Sequence, residues 1–255
     1  MYMKLLTALA LFILSITPLV AAPLKVGVTA GPHAIIMEKV KELAKNQGID
    51  IQVIEFNDFI LPNVALNDKE LDINSYQHKP FLEEQIKSRG YKIKAAGKTV
   101  LMPLGIYSKT IKKLADLKDK SKIAIPSDPT NGGRALKLLE KVGLITLKPV
   151  DNPSILDIKN NPKNLTLVEI DAPQLPRTLD DVDAAVINTD WVLLAGLDPK
   201  AALATEDKNS PYANVFAIRE DENRPEVEKL IKIYQSEPIK TFILEKFKGA
   251  ILPAW

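Results

Sequence analysis

A chain of 255 residues, with 34 basic and 32 acidic side chains, is long enough for one large α/β domain or for two lobes, each with its own core. Charge nearly cancels, and lysines alternate with Glu and Asp along the helical stretches, so no footprint for nucleic acid is present and a neutral or zwitterionic small partner suits the chain better. There is no cysteine, which excludes disulfides, thiol catalysis, thiolate metal sites and a lipid carried on an N-terminal Cys, and leaves stability to packing.

Residues 1–22 are predicted to be a secretory signal peptide. Residues 1–4 form a short basic start, 5–16 an apolar run, and 17–22 break that run at Pro18 and end in the small pair Ala21-Ala22. The run is shorter than the roughly 18 to 20 apolar residues of a spanning helix, and no later segment reaches that length. A soluble mature protein outside the cytoplasm is expected, with a retained membrane anchor as the competing reading. Pro23 leaves the cleavage point open between Ala21 and Ala22.

From Leu24 the pattern is α/β. Residues 24–28 read as a strand, Gly31-Pro32 as a turn, 35–46 as a helix with Ile35, Ile36, Val40 and Leu43 on its apolar face, and 51–56 as a second, alternating strand. A strand, helix and strand in this order favour parallel pairing through a right-handed crossover, with ligand chemistry at the carboxyl ends of the strands. The loops at 29–33 and 57–63 therefore matter, and they bring His33 and Phe59 to that edge. Residues 72–81 then crowd Asn74, Gln77, Tyr76, Phe81 and His78 into one decapeptide, a mixture of rings and hydrogen-bonding groups expected to form one wall of a small-molecule pocket. The plainer alternative makes Tyr76 and Phe81 core residues and His78 a satisfied histidine.

Pro103 and Gly105 make residues 99–107 an edge strand or bent crossover. Residues 109–120 are charged and read as a surface helix, and 122–126 as a strand. The polar, glycine-rich turn 127–134 feeds a helix over 135–142. Free N–H groups and partial positive charge at such a helix start make Arg134 a natural carboxylate partner, although a solvated arginine on a tight loop is the alternative. There is no Gly-Lys-Ser/Thr ending, so this is not a phosphate loop. Strands follow at 164–169, at 182–188 ending on Asn188, and at 212–219 carrying Asn214, with a short helix over 172–180 between the first two. An asparagine at a strand end is also ordinary turn chemistry. Helices over 225–234 and 238–247 finish the chain. Two βα arrays joined near Tyr107 and Tyr212 predict two lobes, residues 23–107 with 213–255 and residues 108–212, with a cleft between them.

Residues 59–66, 72–81, 102–109, 125–136, 161–165 and 174–177 together resemble the methionine-binding, NlpA-type lipoprotein family of ABC importers, and the similarity extends from Leu24 to Trp255. The resemblance implies the two-lobed periplasmic binding protein fold, methionine in the cleft, L-methionine first, and delivery to an ABC permease in the membrane. It implies no enzyme activity, no cofactor and a monomer. Arg134 matches the arginine that pairs with the ligand carboxylate. Asn188 and Asn214 match the amides holding its amino and carboxylate groups, and Tyr76, His78 and Phe81 match the wall around the thioether. Phe59 falls where the family usually has tyrosine, Phe81 lacks a hydroxyl often present, and Tyr76 has gained one, departures that bear on the preference among methionine, its D-enantiomer and methionine-containing dipeptides. The missing lipid-bearing cysteine implies a freely soluble exported member, or one held by an uncleaved signal, in the periplasm or at the outer face of the membrane.

The residues support this without the family. A zwitterionic amino acid needs a bidentate cation for its carboxylate, neutral acceptors for its ammonium group and an apolar slot. Arg134, Asn188 with Asn214, and Tyr76 with Phe59 and Phe81 supply them. Ring contacts worth on the order of 1 kcal/mol favour a thioether over a polar side chain but only weakly over leucine, so another apolar amino acid or a methionine-containing dipeptide is the alternative ligand. Without cysteine, with two histidines and with no recognisable nucleophile turn, an enzyme is not expected. His33, His78 and Asp58 are too thin a set to predict a metal.

Overall fold

The structure, a computed structural model, describes residues 22–207 and 209–255, so the predicted signal peptide over 1–22 lies outside the described residues except for Ala22. The first part of the chain gives β1 (Leu24–Thr29), α1 (Pro32–Lys45), β2 (Ile51–Phe56), α2 (Leu61–Asn67), β3 (Ile73–His78), α3 (Lys79–Arg89), β4 (Ile93–Lys98), β5 (Val100–Leu101) and β6 (Gly105–Tyr107). The middle gives β7 (Lys122–Pro126), α4 (Pro129–Lys141), β8 (Thr146–Leu147), β9 (Ile158–Asn160), β10 (Thr166–Ile170), α5 (Leu175–Thr178), β11 (Ala184–Ile187), α6 (Thr189–Leu194) and β12 (Ala204–Thr205). β13 (Asn214–Arg219), α7 (Pro225–Tyr234), α8 (Glu237–Phe247) and β14 (Leu252–Pro253) end it.

Two five-stranded sheets result, ordered β2-β1-β3-β13-β4 and β10-β7-β11-β6-β12. β1 pairs in parallel with β2 and β3, and β7 with β10 and β11, as the βα alternation requires. Strands buried on both faces read as near-continuous apolar runs, and β11, an Ala-Ala-Val-Ile run buried at every position, follows that rule. Each sheet has its own core. Val26, Ile36, Met37 and Val40 pack with Phe216 of β13 and with Leu230, Tyr234 and Ile243 of the last two helices. Ile123, Ile125, Leu136, Leu139 and Val186 pack with Leu104 and Ile106 in the other. The C-terminal helices therefore complete the first lobe. Among the described residues no helix is long and apolar enough to cross a membrane.

Several expectations change. Residues 105–107, expected to go with the first βα array, form β6 of the second sheet, paired antiparallel with β11. The chain returns to the first sheet between β12 and β13, the stretch that holds Tyr212. Residues 109–120 form only one 3-10 turn, Leu114–Asp116. Ile111, Leu114 and Leu117, three residues apart, lie against the second core without generating the broad apolar stripe of an α-helix. α4 begins at Pro129, well before Ala135, because the Asp128 carboxylate accepts the Asn131 N–H at 2.9 Å and proline suits the first turn. Its glycines serve packing: a Cβ on Gly132 would lie 2.9 Å from the Pro126 carbonyl oxygen. Trp191 lies inside α6. β4 was not predicted, since an edge strand reading Ile-Lys-Ala-Ala-Gly-Lys has weak strand propensity and the lysines that guard edges.

Candidate functional site

The carboxyl end of β3, the start of α3 and the start of β13 face the start of α4 and of α6 across one cavity. All seven residues singled out from the sequence, Phe59, Tyr76, His78, Phe81, Arg134, Asn188 and Asn214, line it. Gln77, Met102, Asn131, Thr189 and Asp190 line it too and were not singled out.

The decapeptide has two jobs. Its amide pair is spent on structure: Gln77, which also borders the cavity, and Asn63 exchange hydrogen bonds of 2.7 Å, and Asn74 donates to Asn63 Oδ1 at 2.9 Å and to the Pro62 carbonyl at 3.1 Å. This buried network ties α2 to β3. The rings do face the cavity. The Tyr76 hydroxyl donates to the Phe59 carbonyl at 2.8 Å, so the gained hydroxyl fixes the Phe59 loop. Phe59 sits 6.1 Å from both Tyr76 and Phe81, in stacked and edge geometry respectively, and 5.2 Å from Trp191 of the other lobe.

His78 caps α3. Its Nδ1 accepts the Phe81 N–H at 3.1 Å, so the proton must sit on Nε2, which donates to Asn131 Oδ1 at 3.2 Å. Burial, with the Arg134 charge adding to it, holds the imidazole neutral, its pKa lowered to about 3. Asn131 Oδ1 also accepts the Asn188 amide at 2.9 Å, so one oxygen joins both lobes. With its nitrogen so used, Asn188 leaves its buried Oδ1 without a partner. Asn214 likewise directs its amide nitrogen to His33 Nε2 at 3.2 Å. His33 thus stands behind the site rather than lining it, and burial lowers its pKa to about 3. Asp58 accepts the N–H groups of Ile60 and Leu61, both at 2.7 Å. Among the described residues no three His, Asp or Glu side chains converge as metal ligands.

Arg134 differs most from expectation. Its Nε and Nη2 form a bidentate pair with Glu206 at 2.7 and 2.6 Å, Nη2 also donates to the Met102 carbonyl at 2.9 Å, and the guanidinium lies 4.5 Å from the Tyr212 ring centre. Glu206 further accepts the Leu104 N–H at 2.9 Å. The fork expected for a ligand is occupied, and only Nη1 remains for one. Sequence reasoning had no signal for Glu206, which follows a two-residue strand and lies 72 positions from its partner. Asp190, in the first turn of α6, accepts the Trp191 N–H on Oδ1 at 2.9 Å, and burial pushes its carboxyl up to about 6 against the opposing pull of that N–H and of Arg134.

With this geometry in place, the NlpA lipoprotein model matches residues 24–255. The D-methionine-binding lipoprotein MetQ of Salmonella typhi is 47% identical over 239 residues, covering 91% of this chain and 88% of that one. A nutrient binding protein from Burkholderia cenocepacia, bound to methionine, superposes with a TM-score of 0.89 at 48% identity over 91% of this chain and 100% of that one. A periplasmic substrate-binding protein of an ABC transporter from Coxiella burnetii gives 0.88 at 47% identity, with the same coverage.

Proposed function

We propose a methionine-binding importer component from one premise: the chain belongs to the NlpA lipoprotein family. It is the exported substrate-binding component of an ABC importer rather than an enzyme, and it holds methionine between its lobes for delivery to a membrane permease. The observation that carries this reading is the convergence on one cavity of a guanidinium, two amides and three rings. Arg134 Nη1 receives the ligand carboxylate, Asn188 and Asn214 hold its polar end, and Phe59, Tyr76 and Phe81 enclose the thioether with His78 at their edge.

The lobes are read as residues 23–104 with 213–255 and residues 105–212, acting as a monomer. With no cysteine among the 255 residues there is no thiol to carry a lipid, and we read the protein as soluble once exported. The test is mass spectrometry of small molecules released on denaturation, then calorimetric titration of ligand-free protein with amino acids and methionyl dipeptides. L-methionine released, with tight binding lost in Arg134→Ala, is the expected result. A released dipeptide or leucine would move the specificity to the altered rings at Phe59 and Phe81, and binding unchanged in Arg134→Ala would refute the pocket.

A further inference from the structure

Among the described residues that line the cavity, Asp190 is the only carboxylate. The residue is 5% exposed. One oxygen, Oδ1, secures the start of α6 through the Trp191 N–H, and the second, Oδ2, has no partner among the described residues. Serving a helix start does not need a charge: a Ser or Thr would do so without burying one. Burying a carboxylate is costly unless cationic groups or several donors meet it, and here the Trp191 N–H and the Arg134 charge offset the burial of Asp190 without cancelling it.

The charges across the site leave the same vacancy. Glu206 already neutralises Arg134, and His78 and His33 are held neutral, so Asp190 is the one charge lining the cavity without a close counter-charge. A zwitterion brings an ammonium group with three N–H donors. The buried Asn188 Oδ1 lacks a partner, and Asn214 has committed its nitrogen to His33 and presents its oxygen as the acceptor left over. Those two amide oxygens and Asp190 Oδ2 make three acceptors for three donors, and only the carboxylate answers the charge.

We propose that Asp190 is the counter-ion of the ligand's α-ammonium group, and therefore the residue that makes this site require an amino acid rather than a carboxylic acid of the same shape. The assignment rests on the methionine reading above. It adds a determinant within α6 to the amides at Asn188 and Asn214, which orient the same group without neutralising it.

The test compares L-methionine with its des-amino analogue, methylthiobutanoate, by calorimetric titration of wild type, Asp190→Asn and Asp190→Ser, with thermal unfolding of each variant to establish that it is folded. Both substitutions are expected to weaken L-methionine by about thirtyfold or more, as for loss of one partner of a buried charge pair, while methylthiobutanoate binds as well as to wild type or better. The preference for the amino acid then collapses. Parallel weakening of both compounds would reduce Asp190 to a structural residue, and unchanged L-methionine affinity in a folded variant would overturn the assignment while leaving the methionine reading intact. Wild type that binds neither compound would overturn that reading and the assignment with it. Asp190→Ser, which retains an acceptor for the Trp191 N–H, is read the same way if Asp190→Asn does not fold.

Discussion

Removing Glu206 should destabilise the empty protein, not merely weaken a ligand. Arg134 and Glu206 side chains are 3% and 10% exposed and share two short bonds, so Glu206→Ala leaves a largely buried guanidinium without its counter-charge. Breaking such a pair from one side costs about 3–5 kcal/mol, and the Leu104 N–H loses its acceptor for about 1 kcal/mol more. In a chain of this size each kcal/mol moves the midpoint by about 2–4 °C, so the melting temperature should fall by on the order of 10 °C. Ligand-free urea and thermal unfolding are the assays, applied also to Arg134→Met and to Arg134→Met with Glu206→Leu. The double variant should recover most of the loss, since apolar residues often replace a buried pair without penalty. It should still fail to bind methionine. A Glu206→Ala protein within about 1 kcal/mol of wild type, or a double variant that loses the sum of the two singles, would refute the argument that the pair is fully desolvated.

Tyr76→Phe removes the bond to the Phe59 carbonyl and should cost about 1 kcal/mol in urea unfolding, while methionine affinity changes by less than about fivefold because the ring remains. Stability should fall with acid between about pH 6 and 4.5, measured by unfolding across that range. His33 and His78, lowered from 6.5 to about 3, take up protons only in the unfolded chain, so their contribution is complete above 6.5 and is lost as pH falls. Asp190, raised to about 6, takes up its proton in the native state over the same window and adds stability as pH falls. Two protons against one leave a loss of about 1.4 kcal/mol per pH unit, and Asp190→Asn should steepen it to about 2.7 kcal/mol. An equal slope in the two proteins would contradict the raised pKa of the buried Asp190 carboxyl.

β1, β2, β7, β10, β11 and β13, the terminal helices and the seven cavity residues were legible because each rests on a local signal: a β-rich run ending in an amide, rings beside an imidazole, an arginine in the first turn after a polar loop. What failed was whatever depends on a distant partner. Asn74 and Gln77 look the same in sequence whether they meet a ligand or Asn63, and only the approach of α2 to β3 decides. Nothing near Glu206 or Arg134 marks them as a pair, so the arginine's fork was assigned to the ligand. Asn131 reads only as part of the polar turn 127–134, and Asp190, at the start of a short helix that the sequence does not announce, does not stand out at all. Residues 109–120 show the opposite error, where charge and length suggested a helix that had no broad face to bury.

The shared oxygen of Asn131 has an energetic meaning for the empty receptor. It accepts from Asn188 in its own lobe and from His78 in the other, so its two lone pairs are spent and no ligand atom contributes to that junction. A bond worth about 0.5–1.5 kcal/mol net favours the arrangement in which α3 and α4 meet at this oxygen by about two- to twelvefold whether or not the cleft is filled. Apparent affinity scales with the fraction already competent to bind. The His78–Asn131 contact therefore acts as a gain control: loosening it should weaken every ligand by the same factor and leave their rank order untouched.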